Sequence, residues 1–186
     1  MQKYNKLVRD NVAGLLKHQG YQEVKGRKLK GKKYKAELYS LFLQEYKETL
    51  DKDKPQQLQV HYADMLEVVR TLMVATKTNI KDIDFAKSQP IDWYQKISPS
   101  KQKLANARLD LLLKFDELLQ MKTEAIRDQL GDILKSFKQL VETHGLQFAQ
   151  VEQVRRVMYK RLGGFNQGIY LESVSKIRTN TTAYSA

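Results

Sequence analysis

The stretch LQVHYADMLEVVRTLM, residues 58–73, and the stretch IRDQLGDILKSFKQLV, residues 126–141, decide the fold. In the first, Leu58, His61, Tyr62, Asp64, Met65, Leu66, Val69, Leu72 and Met73 follow one helical pattern. In the second, Ile126, Gln129, Leu130, Asp132, Ile133, Leu134, Phe137, Leu140 and Val141 stand at the same offset, about 68 positions later. Both series repeat at i, i+3, i+4 and i+7, the spacing that lines up one face of an amphipathic helix. An acid, Asp64 or Asp132, falls on the edge of each stripe. The match continues from Ile80, Ile83 and Ala86 to Phe148, Val151 and Val154. The pattern predicts a duplicated helical hairpin, with the acids marking where chemistry would sit.

Working outward, only three prolines interrupt the chain and the apolar periodicity is nearly all helical. Residues 5–17 read as a short helix with Leu7, Val8, Val12, Leu15 and Leu16 inward, stopped by Gly20. Residues 24–35, rich in glycine and lysine, read as a loop or a short extended pair. Helices are expected over 34–50 and 56–76, joined by a polar turn at 51–55, and they form an antiparallel hairpin. A shorter helix over 79–86 completes a first repeat spanning 34–87. A connector follows over 88–100, where two prolines flank the single tryptophan, Trp93. The second repeat, 101–162, carries helices over 101–120, 123–143 and 148–162. Residues 163–186 hold Gly163, Gly164, one apolar cluster (Phe165, Ile169, Tyr170 and Leu171) and a polar tail.

Composition narrows the function. At 186 residues with 41% apolar and 29% charged residues, the chain can bury a sizeable core as one domain, 1–186, or as two fused half-units. No run approaches the roughly 18 apolar residues of a membrane span, and the first ten residues lack the apolar core of a signal peptide. The expected compartment is therefore the cytoplasm, with no membrane partner. The absence of cysteine excludes disulfides, thiol catalysis and cysteine-ligated metal. A formal net charge of +12 implies attraction to anions without saying which. The densest run is Lys25, Arg27, Lys28, Lys30, Lys32, Lys33 and Lys35. It reads as a solvated loop, a phosphate-contacting loop or a nucleic-acid patch.

The acids narrow it further. On the 34–50 helix, Leu38, Leu41 and Phe42 define the inward stripe, Glu45 falls in its middle and Glu48 lies one turn on. A carboxylate on an apolar face is costly unless it is paired or coordinated. Four acids arranged as E-x-x-E and E-x-x-D on facing helices would make the oxygen-rich cage that Mg²⁺ prefers. This hairpin offers Glu45, Glu48 and Asp64, with His61 where the fourth acid would stand. The alternatives are an ion pair for Glu45 and a satisfied core role for His61. In the second hairpin Lys114 and Glu117 match Glu45 and Glu48, and Gln129 and Asp132 match His61 and Asp64. That copy is the poorer metal site, with Lys114 neutralising Glu117 or reaching a phosphate.

Three segments resemble a known family. YNKLVRD (Tyr4 to Asp10), HYADMLEVV (His61 to Val69) and RLGGFNQGIYLE (Arg161 to Glu172) are similar to motifs of the all-α nucleoside triphosphate pyrophosphohydrolase superfamily. Its members include MazG-type enzymes, dimeric dUTPases and phosphoribosyl-ATP pyrophosphohydrolases. The resemblance implies a helical bundle and Mg²⁺-dependent hydrolysis, Mn²⁺ serving as an alternative, between the α- and β-phosphates of a nucleoside triphosphate. It implies that Glu45, Glu48 and Asp64 hold the metal, and His61 departs from the family's acid there. Glu45 or Glu48 would be the general base, and Lys6, Arg9, Lys160 and Arg161 would contact phosphate. Gly163 and Gly164 would permit close backbone approach or end the preceding helix.

The combined expectation is an all-α fold of two tandem hairpins packed as an internal pseudo-dimer. The expected function is a nucleotide pyrophosphohydrolase. The rival is a catalytically degenerate member of the fold that binds nucleotide or metal, or serves as an interaction module. Nucleic acid is set aside as a partner because an acidic pocket between helices repels a phosphate backbone. Whether the pseudo-dimer pairs again as a homodimer stays open.

Overall fold

In the computed structural model, described for residues 2–50, 52, 54–77, 101–120 and 126–175, the chain is mostly helical with one small sheet. Its elements run β1 (Gln2–Leu7), α1 (Val12–His18), β2 (Glu23–Lys28), α2 (Gly31–Glu48), α3 (Pro55–Ala75), α4 (Lys101–Gln120), α5 (Ile126–Thr143), α6 (Phe148–Leu162) and β3 (Ile169–Ser175). The expected 79–86 helix, the 88–100 connector with Trp93 and the tail from 176 lie outside the described residues. No helix among the described residues is long and apolar enough to cross a membrane.

α2 packs against α3, and α4 packs against α5. Their inward faces share one core. Phe42 stacks on Phe115 with ring centroids 3.8 Å apart, and Tyr62 meets Phe137 edge-on at 5.6 Å. Residues buried on α3 have buried counterparts on α5 at the sequence offset: Leu58 with Ile126, Tyr62 with Leu130, Met65 with Ile133, Val69 with Phe137 and Leu72 with Leu140. On α2 and α4, Leu38, Phe42 and Tyr46 correspond likewise to Ala107, Leu111 and Phe115. The correspondence fails at Glu67 and Thr71, which are buried, whereas Lys135 and Gln139 are exposed. The cause is packing, because α3 is also covered by α6.

The sheet departs from the all-α expectation. Its order is β1-β3-β2, antiparallel throughout. The anticipated 5–17 helix is instead a strand followed by a short helix from Val12. Leu7 and Val8 explain the difference, since consecutive apolar residues of a strand point to opposite faces. Leu7 enters the main core, while Val8 joins Leu16, Leu171 and Val174 under α1. Asn5, at φ 46°, and a bulge between Lys3 and Lys6 also interrupt regular helical geometry. β3, from the apolar cluster after the glycine pair, is the central strand and ties the C-terminal part to both N-terminal strands.

Candidate functional site

Three distant segments meet at the junction of β1, α3 and the loop after α6. With Leu7 and Val8 anchored in separate clusters, the backbone turns Arg9 inward, where its side chain is only 4% exposed. A buried guanidinium needs partners, and this one has them. Its Nε and Nη2 donate to Asp64 Oδ1 at 2.9 and 2.6 Å, and Nη1 donates to the Gly163 carbonyl at 2.9 Å. The Phe165 ring covers its face at 5.1 Å. Asp10 secures the same loop by accepting the backbone N–H groups of Asn166 and Gln167 at 3.1 and 2.9 Å.

The glycine pair is required here for two reasons. Gly163 is the C-cap of α6 at φ 77°, a left-handed conformation that side chains disfavour. At Gly164 a Cβ would stand 2.8 Å from Glu67 Oε1. Glu67, one turn after Asp64 on α3, is buried and accepts from Arg155 Nη1 at 2.5 Å. Arg155 in turn bonds Glu152, which also receives Arg70 and Arg156. This network links α3 to α6. The motif quoted for Asp64 contains Glu67 as well, and its i+3 spacing is the signal that it shares the inward side.

Glu45 on α2 lies close enough to Asp64 on α3 to feel its charge. Burial pushes the Glu45 carboxyl up from its ordinary value, and the Asp64 charge adds to that, against the lowering effect of His61 and Lys6. His61 Nδ1 lies 2.8 Å from Glu45 Oε2. Glu48 sits towards solvent with Lys52 Nζ at 3.7 Å. Glu48 and His61 line an open groove of about 440 Å³ together with Lys52, Gln56, Gln57 and Val60. Lys6, Lys160 and Arg161 are exposed. Lys6 is felt by Glu45, and the Arg161 carbonyl accepts from Asn11 at 3.5 Å.

The donor set suits a hard cation in kind, since carboxylate oxygens are the ligands Mg²⁺ prefers. A divalent cation would also relieve the repulsion between Glu45 and Asp64. The arrangement already supplies partners of its own, with the Arg9 guanidinium on Asp64 and the His61 ring against Glu45. Those bonds engage Oδ1 of Asp64 and Oε2 of Glu45 and leave the second oxygen of each carboxylate outside them. Among the described residues no group of three or more acidic or histidine side chains is placed to hold a metal ion.

The second hairpin is built differently. Lys114 donates to Asp110 Oδ2 at 2.9 Å and to Ser136 Oγ at 2.7 Å, so its acidic partner is Asp110 and not the anticipated Glu117. Glu117 accepts from Gln129 at 2.9 Å. Asp132 is 53% exposed beside Lys135, in contrast to its counterpart Asp64. One half-buried cluster escaped the sequence reading. Arg108 Nη2 lies 3.1 Å from His144 Nε2, and His144 Nδ1 contacts the Tyr62 hydroxyl. It joins α3, α4 and the end of α5, and nothing in the local sequence of a lone histidine announces such partners. A partly open cavity of about 260 Å³, walled by Leu38, Tyr39, Leu72, Phe115, Leu118 and Ile126 among others, has no carboxylate among the described residues that line it.

No protein-family model, curated protein or solved structure matches the chain.

Proposed function

We propose that this chain is a nucleoside triphosphate pyrophosphohydrolase of the helical type its motifs resemble, cleaving between the α- and β-phosphates. The observation that carries the reading is the meeting of the three resembling segments at one place, through Arg9 with Asp64, Asp10 with the 166–167 backbone, and Gly164 against Glu67. The matching burial of α3 and α5 supports the finer architectural reading, two related hairpins folded as an internal pseudo-dimer with one working site.

In this reading Glu45, Glu48 and Asp64, which do not form a ready ligand group, would draw closer together to hold Mg²⁺, and the ion would supply charge neutralisation to the triphosphate. The chain's own residues do the rest. The open groove beside Glu48 and His61 admits the polar phosphates, while exposed Lys6, Lys160 and Arg161 offer positive charge to them. Glu45, whose carboxyl is raised by burial, is suited to take a proton from an attacking water, because a base works best with a pKa nearer the operating pH.

A second reading is favoured by one specific observation: Arg9 and His61 already bond Asp64 and Glu45, where a metal ion would bind. Under it the protein is a degenerate member of the fold that binds nucleotide without turning it over. A pyrophosphate-release screen across nucleoside triphosphates with Mg²⁺ or Mn²⁺ decides between them. The enzyme reading expects metal-dependent release that Glu45→Gln abolishes and His61→Glu raises, since another anionic oxygen suits Mg²⁺ better than imidazole. Release by neither wild type nor His61→Glu removes the enzyme reading, and titration of a nucleoside triphosphate then tests the binding that the second reading requires.

A further inference from the structure

We propose that the basic strip formed by β2 and the start of α2 is a docking surface for the phosphodiester backbone of a nucleic acid. Seven cations lie in it: Lys25, Arg27 and Lys28 on β2, Lys30 in the link, and Lys32, Lys33 and Lys35 in the opening turns of α2. All are exposed. No acid occurs in sequence between Glu23 and Glu37. Among the described residues the one ion pair in the strip is Arg27 with Glu172 at 3.0 Å, on the surface, where such a pair contributes little.

Edge protection does not account for the density of charge. β2 is an edge strand, and a lysine or two on an edge discourages unwanted strand pairing. The other edge, β1, carries Lys3 and Lys6. The strip goes on beyond its strand, through the link and into a helix whose first turn contains no acid. Cations there oppose the helix dipole, so the arrangement costs stability that an external anion would return.

The layout also selects the anion. The cations cover about 10 Å of strand and about 4.5 Å of helix, separated by the link, which together is longer than one triphosphate needs. An extended row of phosphates matches it. An anionic membrane is the poorer fit, because peripheral membrane surfaces combine basic charge with apolar side chains for insertion. The exposed large apolar residues, Leu50, Val60, Val74, Leu109, Leu113, Val157 and Tyr159, all lie outside the strip. Lys33 is about 18 Å along α2 from Glu45 at the helical rise. The repulsion of the acidic groove, the reason for setting nucleic acid aside, therefore does not reach this end of the helix. The inference stands independently of any reaction in that groove.

The test is fluorescence anisotropy of labelled 20-nucleotide single strands and 20-base-pair duplexes between 50 and 200 mM KCl. Binding by about five phosphate contacts gives a log–log salt slope of roughly −4.5 for duplex and −3.5 for single strands. The triple variant K25E/K32E/K33E is expected to bind at least tenfold more weakly, with the slope reduced in magnitude by about 2 to 3. Its glutamine counterpart, K25Q/K32Q/K33Q, reads the same change without charge reversal should the first variant fold poorly. K17E/K54E/K135E, equal in net charge but placed elsewhere, is expected to lose less than threefold. Equal losses in both glutamate variants, no loss in the strip variants, or binding to phosphatidylserine vesicles with none to nucleic acid would overturn the proposal.

Discussion

At the scale of single residues, what a position tolerates is set by the neighbours that cannot move. A Cβ at Gly164 meets Glu67 Oε1 at 2.8 Å, and Glu67 is held by Arg155. Gly164→Ala is therefore expected to cost about 1–3 kcal/mol, as overpacking does. Gly14→Ala, in α1 with no atom within 4 Å of the added carbon, is expected to stabilise by about 0.5–1 kcal/mol. Urea titrations of the two variants read both signs. His144 gives the second residue-scale prediction. Burial first, and then the Arg108 charge, hold its pKa down to about 4 from 6.5. As Arg108 must donate to Nε2, the neutral ring carries its proton on Nδ1 and donates to the Tyr62 hydroxyl. When pH falls from about 6.5 to about 4, the unfolded chain takes up a proton that the folded ring refuses. The contribution is complete above about 6.5, is lost through that window and levels off below about 4. Its size is at most about 3.5 kcal/mol, since each tenfold drop in the ring's proton affinity corresponds to about 1.4 kcal/mol, and solvent at the half-buried ring lowers it further. The difference in unfolding free energy between wild type and His144→Asn, measured at pH 7 and pH 4.5, should be smaller at pH 4.5, where most but not all of that contribution is gone.

At the scale of elements, α2 carries an uncompensated beginning. Its N-cap is Lys30, in an extended conformation, with no side-chain bond to the first turn and no acid there. Lys30→Ser or Lys30→Asp supplies the missing acceptor and is expected to raise stability by about 0.5–2 kcal/mol in thermal unfolding, while weakening any polyanion bound to the strip. Some elements were open to sequence reading and others were not, for physical reasons. The helical hairpins were legible because α3 and α5 each carry sustained apolar periodicity, and every apolar residue of the expected stripes is buried. β1 and β2 were not. Leu7, Val8, Val12, Leu15 and Leu16 satisfy a helical count by accident, and β2 buries nothing that could show a two-residue period. In the site, the inward placement of Glu45 followed from its position between Leu41 and the next turn. The pairing of Asp64 with Arg9 is a contact across 55 positions, and no local pattern encodes it.

At the scale of the whole molecule, the two hairpins behave as one body in their packing. Phe115, fully buried on α4, stacks against Phe42 and Tyr39 of α2, while Tyr62 of α3 meets Phe137 of α5 and His144 just beyond it. Neither hairpin buries its inward face without the other. Removing the Phe115 ring should therefore weaken both hairpins equally, although the residue belongs to the second. Phe115→Ala is expected to cost about 3–5 kcal/mol, the usual range for a deleted core aromatic. Native-state hydrogen exchange is the informative measurement, because it assigns the loss to each helix. If unfolding is a single cooperative transition, the slowest amides of α3 and α5 lose protection by the same free energy, and that value equals the loss seen in urea unfolding. If the hairpins open separately, α4 and α5 lose protection while α3 keeps its wild-type rates. The second outcome would reduce the interface between Phe42 and Phe115 to a contact between independent units, and with it the structural basis for reading the pair as one pseudo-dimeric core.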